Sequence, residues 1–190
     1  GECPQAVAVI VGDAPDGSAG RRQELQQRAQ ALGIAERVVF TGHRSDVPRV
    51  LAGLDIVVHA SVSPEPFGMV IVEAMAMQRP VGAARAGGPL EIVLPGETGF
   101  LVEPGNAADM AAAIARLLLD PQLRQTMGEK AGARVIEKFG SEAHARATEA
   151  ALEALFGRSP RSAGEGFRGD VRVDHRGDHG EDEADGRHLG

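Results

Sequence analysis

The chain has 190 residues, 43% of them hydrophobic, and a formal net charge of −7. That is enough chain for one buried core of common domain size, and the charge gives no reason to expect nucleic acid or an anionic membrane as a partner. One cysteine, Cys3, excludes an internal disulfide framework and suits a reducing cytoplasm; no signal-peptide pattern or bilayer-length apolar run occurs, so no membrane segment is expected in this chain.

Gln5 to Val11 is a nearly continuous Val- and Ile-rich run, the pattern of a strand buried on both faces of a parallel sheet. Gly12-Asp13-Ala14-Pro15 turns out of it, and Arg21 to Leu32 predicts a helix with Leu25, Ala29 and Leu32 inward and Gly33 as its C-terminal cap. Val38 to Phe40 is a short strand that runs into Thr41-Gly42-His43-Arg44. Ser45 or Asp46 then caps a helix carrying Val47, Val50, Leu51 and Leu54. Asp55 to His59 is the next strand.

The stretch from Ser61 to Glu91 is the one around which the chain is organised. Pro64 and Pro66 hold Glu65 on an extended loop. From Gly68 the apolar residues Met69, Val72, Met75 and Ala76 predict a helix to about Gln78, stopped by Pro80. A helix beginning near Phe67 and Gly68 presents unpaired N–H groups and a positive dipole end, which is a ready anion site. Glu73, one turn further in, leans back toward the same end, where a carboxylate suits paired sugar hydroxyls. Met69, Met75 and Met77 read as core filling. Gly87 and Gly88 form a second glycine turn before Glu91, whose place at a helix start is favourable on dipole grounds alone.

Beyond it, Gly99 to Val102 is a strand. Asn106 caps a helix from Ala107 to Leu119 with Asp109 in a box-like position, Asp120-Pro121 starts another helix, and Gly140-Ser141 divides it from a last one ending near Phe156. Strands alternating with helices predict an α/β doubly wound parallel sheet, with ligand loops after Val11, Phe40, His59 and Ala83 on the carboxyl edge. Arg158 to Gly190 is rich in Gly, Arg, Asp and His and reads as a disordered polar tail. Its His175, His179 and His188 match no closed metal spacing.

Glu65-Pro-Phe-Gly-Met-Val-Ile-Val-Glu73, Arg79-Pro80-Val81, Gly87-Gly88-Pro-Leu-Glu91, Gly96-Glu-Thr-Gly99 and Pro104-Gly105-Asn106 together resemble glycosyltransferase family 4, retaining enzymes of the GT-B fold that use nucleotide-sugar donors. The likeness is to their C-terminal, Rossmann-like donor domain and covers roughly Val7 to Phe156. It implies a donor domain over 1–157, incomplete at its N-terminus, and a tail over 158–190. By resemblance Glu73 holds the ribose hydroxyls. Glu65, the candidate catalytic group, contacts the transferred sugar or supports charge near the reacting carbon. Phe67, Gly68, Met69 and Val70 offer backbone N–H groups to sugar and diphosphate. Gly12, Gly42, His43, Arg44 and Glu91 complete the candidate donor contacts, although Arg44 reads equally as a solvated loop arginine; His59, at the strand end before the motif, reads as a packed or hydrogen-bonded structural histidine and not as a substrate contact.

The resemblance implies a nucleotide diphosphate sugar as substrate, no metal or other cofactor, and an acceptor domain that this chain does not contain. Family members carry an Arg and a Lys on a first strand–helix unit that is not matched here, so catalysis by this chain alone is not expected. Gln78 stands where the family has a glycine, and Gly82 interrupts a strand; each is expected to cost on the order of 1 kcal/mol. Two other functions stay open: a non-catalytic nucleotide-binding or interaction module, which the unmatched Arg and Lys favour, and a GT-B sugar-nucleotide epimerase, which the Glu65 to Glu73 box disfavours.

Overall fold

The computed structural model describes residues 3–13 and 19–156; the tail and its three histidines lie outside the described residues. In chain order the elements are β1 (Ala8–Val11), α1 (Ala19–Ala31), a 3-10 turn (Ala35–Arg37), β2 (Val38–Gly42), α2 (Val47–Ala52), β3 (Val57–His59), α3 (Met69–Ala76), β4 (Val81–Ala84), α4 (Pro89–Ile92), β5 (Gly99–Val102), α5 (Ala107–Leu119), α6 (Pro121–Phe139) and α7 (Ser141–Phe156). Every strand pairing is parallel, with Val9 opposite Val39, Val57 opposite Val81 and Val81 opposite Gly99. The α/β class with parallel strands is therefore as expected.

The expected single sheet is divided. The hydrogen-bonded order is β1-β2 in one sheet and β3-β4-β5 in another. A common doubly wound order is 3-2-1-4-5-6. If β1 to β5 are its second to sixth strands, the observed pairings reproduce that order, and the place of its first strand lies between β1 and β3, both unpaired on that side among the described residues. The division also corrects the expectation that β1 is buried on both faces: Ala8 and Val11 are exposed, and Val9 and Ile10 only half-buried. A strand with one neighbour keeps part of its apolar surface in water.

The core sits in the other sheet. Ile71, Met75, Val81, Ile92 and Val93 are at most 1% exposed and pack with Val57, Ala83, Ala131 and Val135. Burying each large aliphatic side chain is worth about 1.5–3 kcal/mol. All four residues of β4 are buried, covered by α3 and α6 on one side and α5 on the other. We therefore expect native-state hydrogen exchange of β1 amides to be at least about tenfold faster than that of β4 amides, because local opening costs least where little apolar surface is buried; equal protection across both sheets would contradict this division.

Local signals place most of the helices. The Asn106 side chain accepts from the Asp109 N–H at 3.1 Å and donates to the Asp109 carboxylate at 2.7 Å. Asp120 accepts from the Leu123 N–H at 2.9 Å, ahead of Pro121. Gly33, at φ +66, closes α1 as expected, and the Ile34 N–H donates back to the Ala29 carbonyl. Asp46 is the N-cap of α2, but its carboxylate makes no capping bond and is held instead by Arg44.

Two helix faces differ from expectation. On α3 the buried residues are Ile71, Ala74 and Met75, while Met69 is 61% exposed and Ala76 is exposed. Apart from Glu73 every α3 side chain is apolar, so the pattern lacks the polar face that would fix its phase. In the α1 stretch Ala29 is buried and Leu25 half-buried, but Leu32, just past the end of α1, is 62% exposed.

The two residues expected to be costly have different explanations. Gly82 lies beneath Met110 of α5: a Cβ there would meet the Met110 sulfur at 3.1 Å, so the missing side chain admits the helix. Gln78 has φ +55, a left-handed backbone that favours glycine. Replacing Gln78 by glycine is expected to raise stability by about 0.5–1 kcal/mol, or about 1–4 °C in Tm; thermal unfolding that shows a lower Tm would mean that the Gln78 side chain, packed against Gly132, outweighs the backbone strain.

Candidate functional site

The loops expected to share the carboxyl edge form two clusters. In the first, the Gly12 N–H donates to the Gly42 carbonyl at 2.9 Å, with Gly12 at φ +109 and Gly42 at φ +68. Asp13 accepts from the His43 N–H at 2.9 Å, and the Arg22 guanidinium lies 3.8 Å from the same carboxylate. Asp13 is thus the tie between the β1 and β2 loops. It was not among the expected site residues, and the Gly12-Asp13 turn is the signal that could have found it. His43 and Arg44 are exposed.

Arg44 is already engaged. Its Nε and Nη2 meet the two Asp46 oxygens at 2.8 and 2.7 Å in a fork. That bonding holds the Asp46 carboxyl below the usual carboxylate range. An arginine committed to a neighbouring carboxylate would have to exchange partners to meet a phosphate.

The second cluster is the Glu65 to Glu73 stretch folded against Gly87 and Gly88. Glu65 bridges to Gly87 like a further residue of a parallel strand, and the Gly88 N–H donates to the Glu65 carbonyl at 2.7 Å. Neither glycine tolerates a side chain. A Cβ on Gly87 would strike the Glu65 backbone, and one on Gly88 would overlap the Phe67 carbonyl. The proline-flanked loop is therefore pinned to the end of β4 by main-chain contact. The Glu65 carboxylate, one-third exposed, lies 3.6 Å from His59 Nε2 at the end of β3.

Gly68, buried and at φ +102, is the N-cap of α3. The N–H groups of Met69 and Val70 have no acceptor within the helix and point from its start, as at any helix N-terminus. The Phe67 ring packs edge-on against Phe139 at 6.1 Å, and its carbonyl lies against Gly88. Glu73 is half-buried one turn into α3, and among the described residues no side-chain hydrogen bond or ion pair engages it. Glu91 is exposed in the short α4, and its carbonyl accepts from Arg134 of α6 at 2.6 Å while Ile92 accepts from the same guanidinium at 2.7 Å. Arg134 was not foreseen, since nothing local in the sequence ties α6 to a loop some forty residues away.

The structure thus joins Glu65, Phe67, Gly68, Gly87 and Gly88 in one cluster and Gly12, Gly42 and His43 in the other. No hydrogen bond or ion pair links the two among the described residues. A separate open concavity of about 400 Å³ lies at the outer edge of β5, lined by Arg85, Phe100, Glu103 and Arg116. Its cations are occupied, Arg85 by Glu103 at 3.4 Å and Arg116 over the Phe100 ring at 5.2 Å. No group of three or more metal-ligating side chains occurs among the described residues, and none of their helices is long and apolar enough to cross a membrane.

The fold and the site together define an α/β domain of parallel strands in which a glutamate loop is pinned beside a helix start. Residues 2–134 match the family model described as Glycosyl transferases group 1, and the chain belongs to that family. It is 36% identical over 137 residues to N-acetyl-alpha-D-glucosaminyl L-malate synthase of Bacillus anthracis, covering 72% of this chain and 34% of that protein. It is 40% identical to Anabaena HepE, solved in complex with UDP, with a TM-score of 0.75 over 80% of this chain and 42% of that one. The C-terminal domain of the group 1 family protein LpcC from Francisella tularensis is 32% identical with a TM-score of 0.67, and there the match covers 73% of this chain and 72% of the other. The chain therefore spans about a third of the first protein, about two-fifths of the second and most of an isolated C-terminal domain.

Proposed function

We propose that the chain is the donor-binding half of a retaining glycosyltransferase that moves a sugar from a nucleotide diphosphate sugar to an acceptor held by a second domain. The observation that carries this is the Glu65–Gly88 clamp, which pins the Glu65 loop beside Gly68 at the start of α3. In this reading Met69 and Val70 meet the diphosphate by backbone N–H, Glu73 accepts from the ribose hydroxyls, and Glu65 faces the transferred sugar; Gly12, Gly42 and His43 flank the base. Arg44 contributes only if it leaves Asp46, and Glu91 supports the loop through its carbonyl.

HepE has been solved with UDP and with UDP-glucose, which favours a uridine donor. With a single cysteine, Cys3, a cytoplasmic setting is the compartment that fits. Calorimetric titration with UDP, GDP and ADP tests the reading. Saturable binding of UDP alone is the expected result, whereas no binding by a chain shown to be folded would refute a donor site formed by these residues. The alternative, a non-catalytic nucleotide-binding module, is favoured by one observation: Arg44, the cation among the candidate donor contacts, is committed to Asp46. The two part on a full-length protein, where UDP binding without any transfer from UDP-glucose would favour the module.

A further inference from the structure

The environment of His59 is unusual for a histidine at a strand end. Its side chain is 16% exposed, on β3 opposite Ala83 of β4. One ring nitrogen, Nε2, is 3.6 Å from Glu65 Oε2, and the other, Nδ1, is fully buried without a partner. With Nδ1 protonated, the bare Nε2 would face the Glu65 carboxylate lone pair to lone pair, and an unpaired buried N–H costs more on a charged ring than on a neutral one. An imidazolium would carry an N–H on both nitrogens, and the Nδ1–H tautomer would bury its donor. Both are disfavoured, which leaves the neutral ring with its proton on Nε2.

We infer that His59 is a positioning residue, a neutral Nε2–H donor that directs the Glu65 carboxylate. The Glu65 main chain is already held by Gly87 and Gly88, so the side-chain torsions are its remaining freedom. A donor rigidly mounted on β3 removes that freedom, and it does so from beneath the loop, leaving the other carboxylate oxygen for whatever Glu65 meets. The inference deepens the donor-site reading of Glu65, but the geometry on which it stands does not depend on a donor.

The test is therefore made on the unliganded chain. Long-range proton–nitrogen correlation spectra of the imidazole rings, with His59 identified by its loss in His59→Gln, should show a single neutral Nε2–H ring whose Nε2 resonance moves in Glu65→Gln. An imidazolium, an Nδ1–H ring, or a spectrum indifferent to Glu65→Gln would overturn the inference. A second measurement follows Glu65 itself through its χ1 coupling constants. Glutamine places its amide nitrogen near the position of Nε2 and asparagine near that of Nδ1, so one Glu65 rotamer should persist in His59→Gln and be lost to averaging in His59→Asn. A merely structural histidine would give the same result for both variants. Because neither measurement uses UDP, failed nucleotide binding would count against the donor site and not against the role of His59.

Discussion

Replacing Gly88 by alanine is expected to destabilise the chain by about 3 kcal/mol, lowering Tm by roughly 6 to 12 °C, the cost of forcing a methyl into packed backbone. The reason is steric and not conformational. Gly88 sits at φ −50 and ψ −38, which any residue adopts, but its missing side chain is what lets the Phe67 carbonyl lie against it. The same position donates the bond that holds Glu65, so the variant should also loosen the Glu65 loop. Gly96→Ala is the control. Gly96 lies at φ +79 with open space around it, so only backbone strain of about 1 kcal/mol is incurred there. Thermal unfolding of both variants measures the difference; equal losses would mean that the contact with Phe67 relaxes and that the loop is not pinned as described.

Glu73→Ala is expected to weaken UDP binding by roughly 30- to 100-fold while leaving Tm almost unchanged. A carboxylate that accepts from paired hydroxyls makes charge-assisted bonds, and losing it costs about 2–3 kcal/mol. Nothing in the fold should compensate or complain. The side chain is half-buried, makes no side-chain bond among the described residues, and alanine is the better helix former. Titration calorimetry and thermal unfolding on one preparation separate the two effects. An affinity reduced by less than about threefold would place the ribose elsewhere; a large fall in Tm would mean that Glu73 is structural.

These two substitutions differ in how far sequence alone leads to them. Glu73 is visible as the one charged residue of an otherwise apolar helix, eight residues after the loop carboxylate Glu65, a property of the local chain. Gly88 is visible only as a member of a Gly-Gly turn; that its neighbour is Phe67 follows from bringing the end of β4 against a loop twenty residues earlier.

The same boundary runs through the fold. The starts of α5 and α6, the division before α7, the cap at Gly33 and the parallel α/β class were legible, because Asn106, Asp120, Pro121 and Gly33 act on groups within a few residues of themselves. What only the tertiary structure decided depends on partners distant in sequence. It divides the sheet between β1 and β3, since a strand run does not state which of its edges is paired. It turns Ile71 inward and Met69 outward on α3, where an almost wholly apolar helix has no phase of its own. Arg44 is directed to Asp46, Asp13 to His43, Arg134 to the carbonyls of α4 and His59 to Glu65. Short-range capping and periodicity are written into neighbouring residues; edge pairing, helix facing and the partners of charged side chains are settled only when remote segments compete for the same surface.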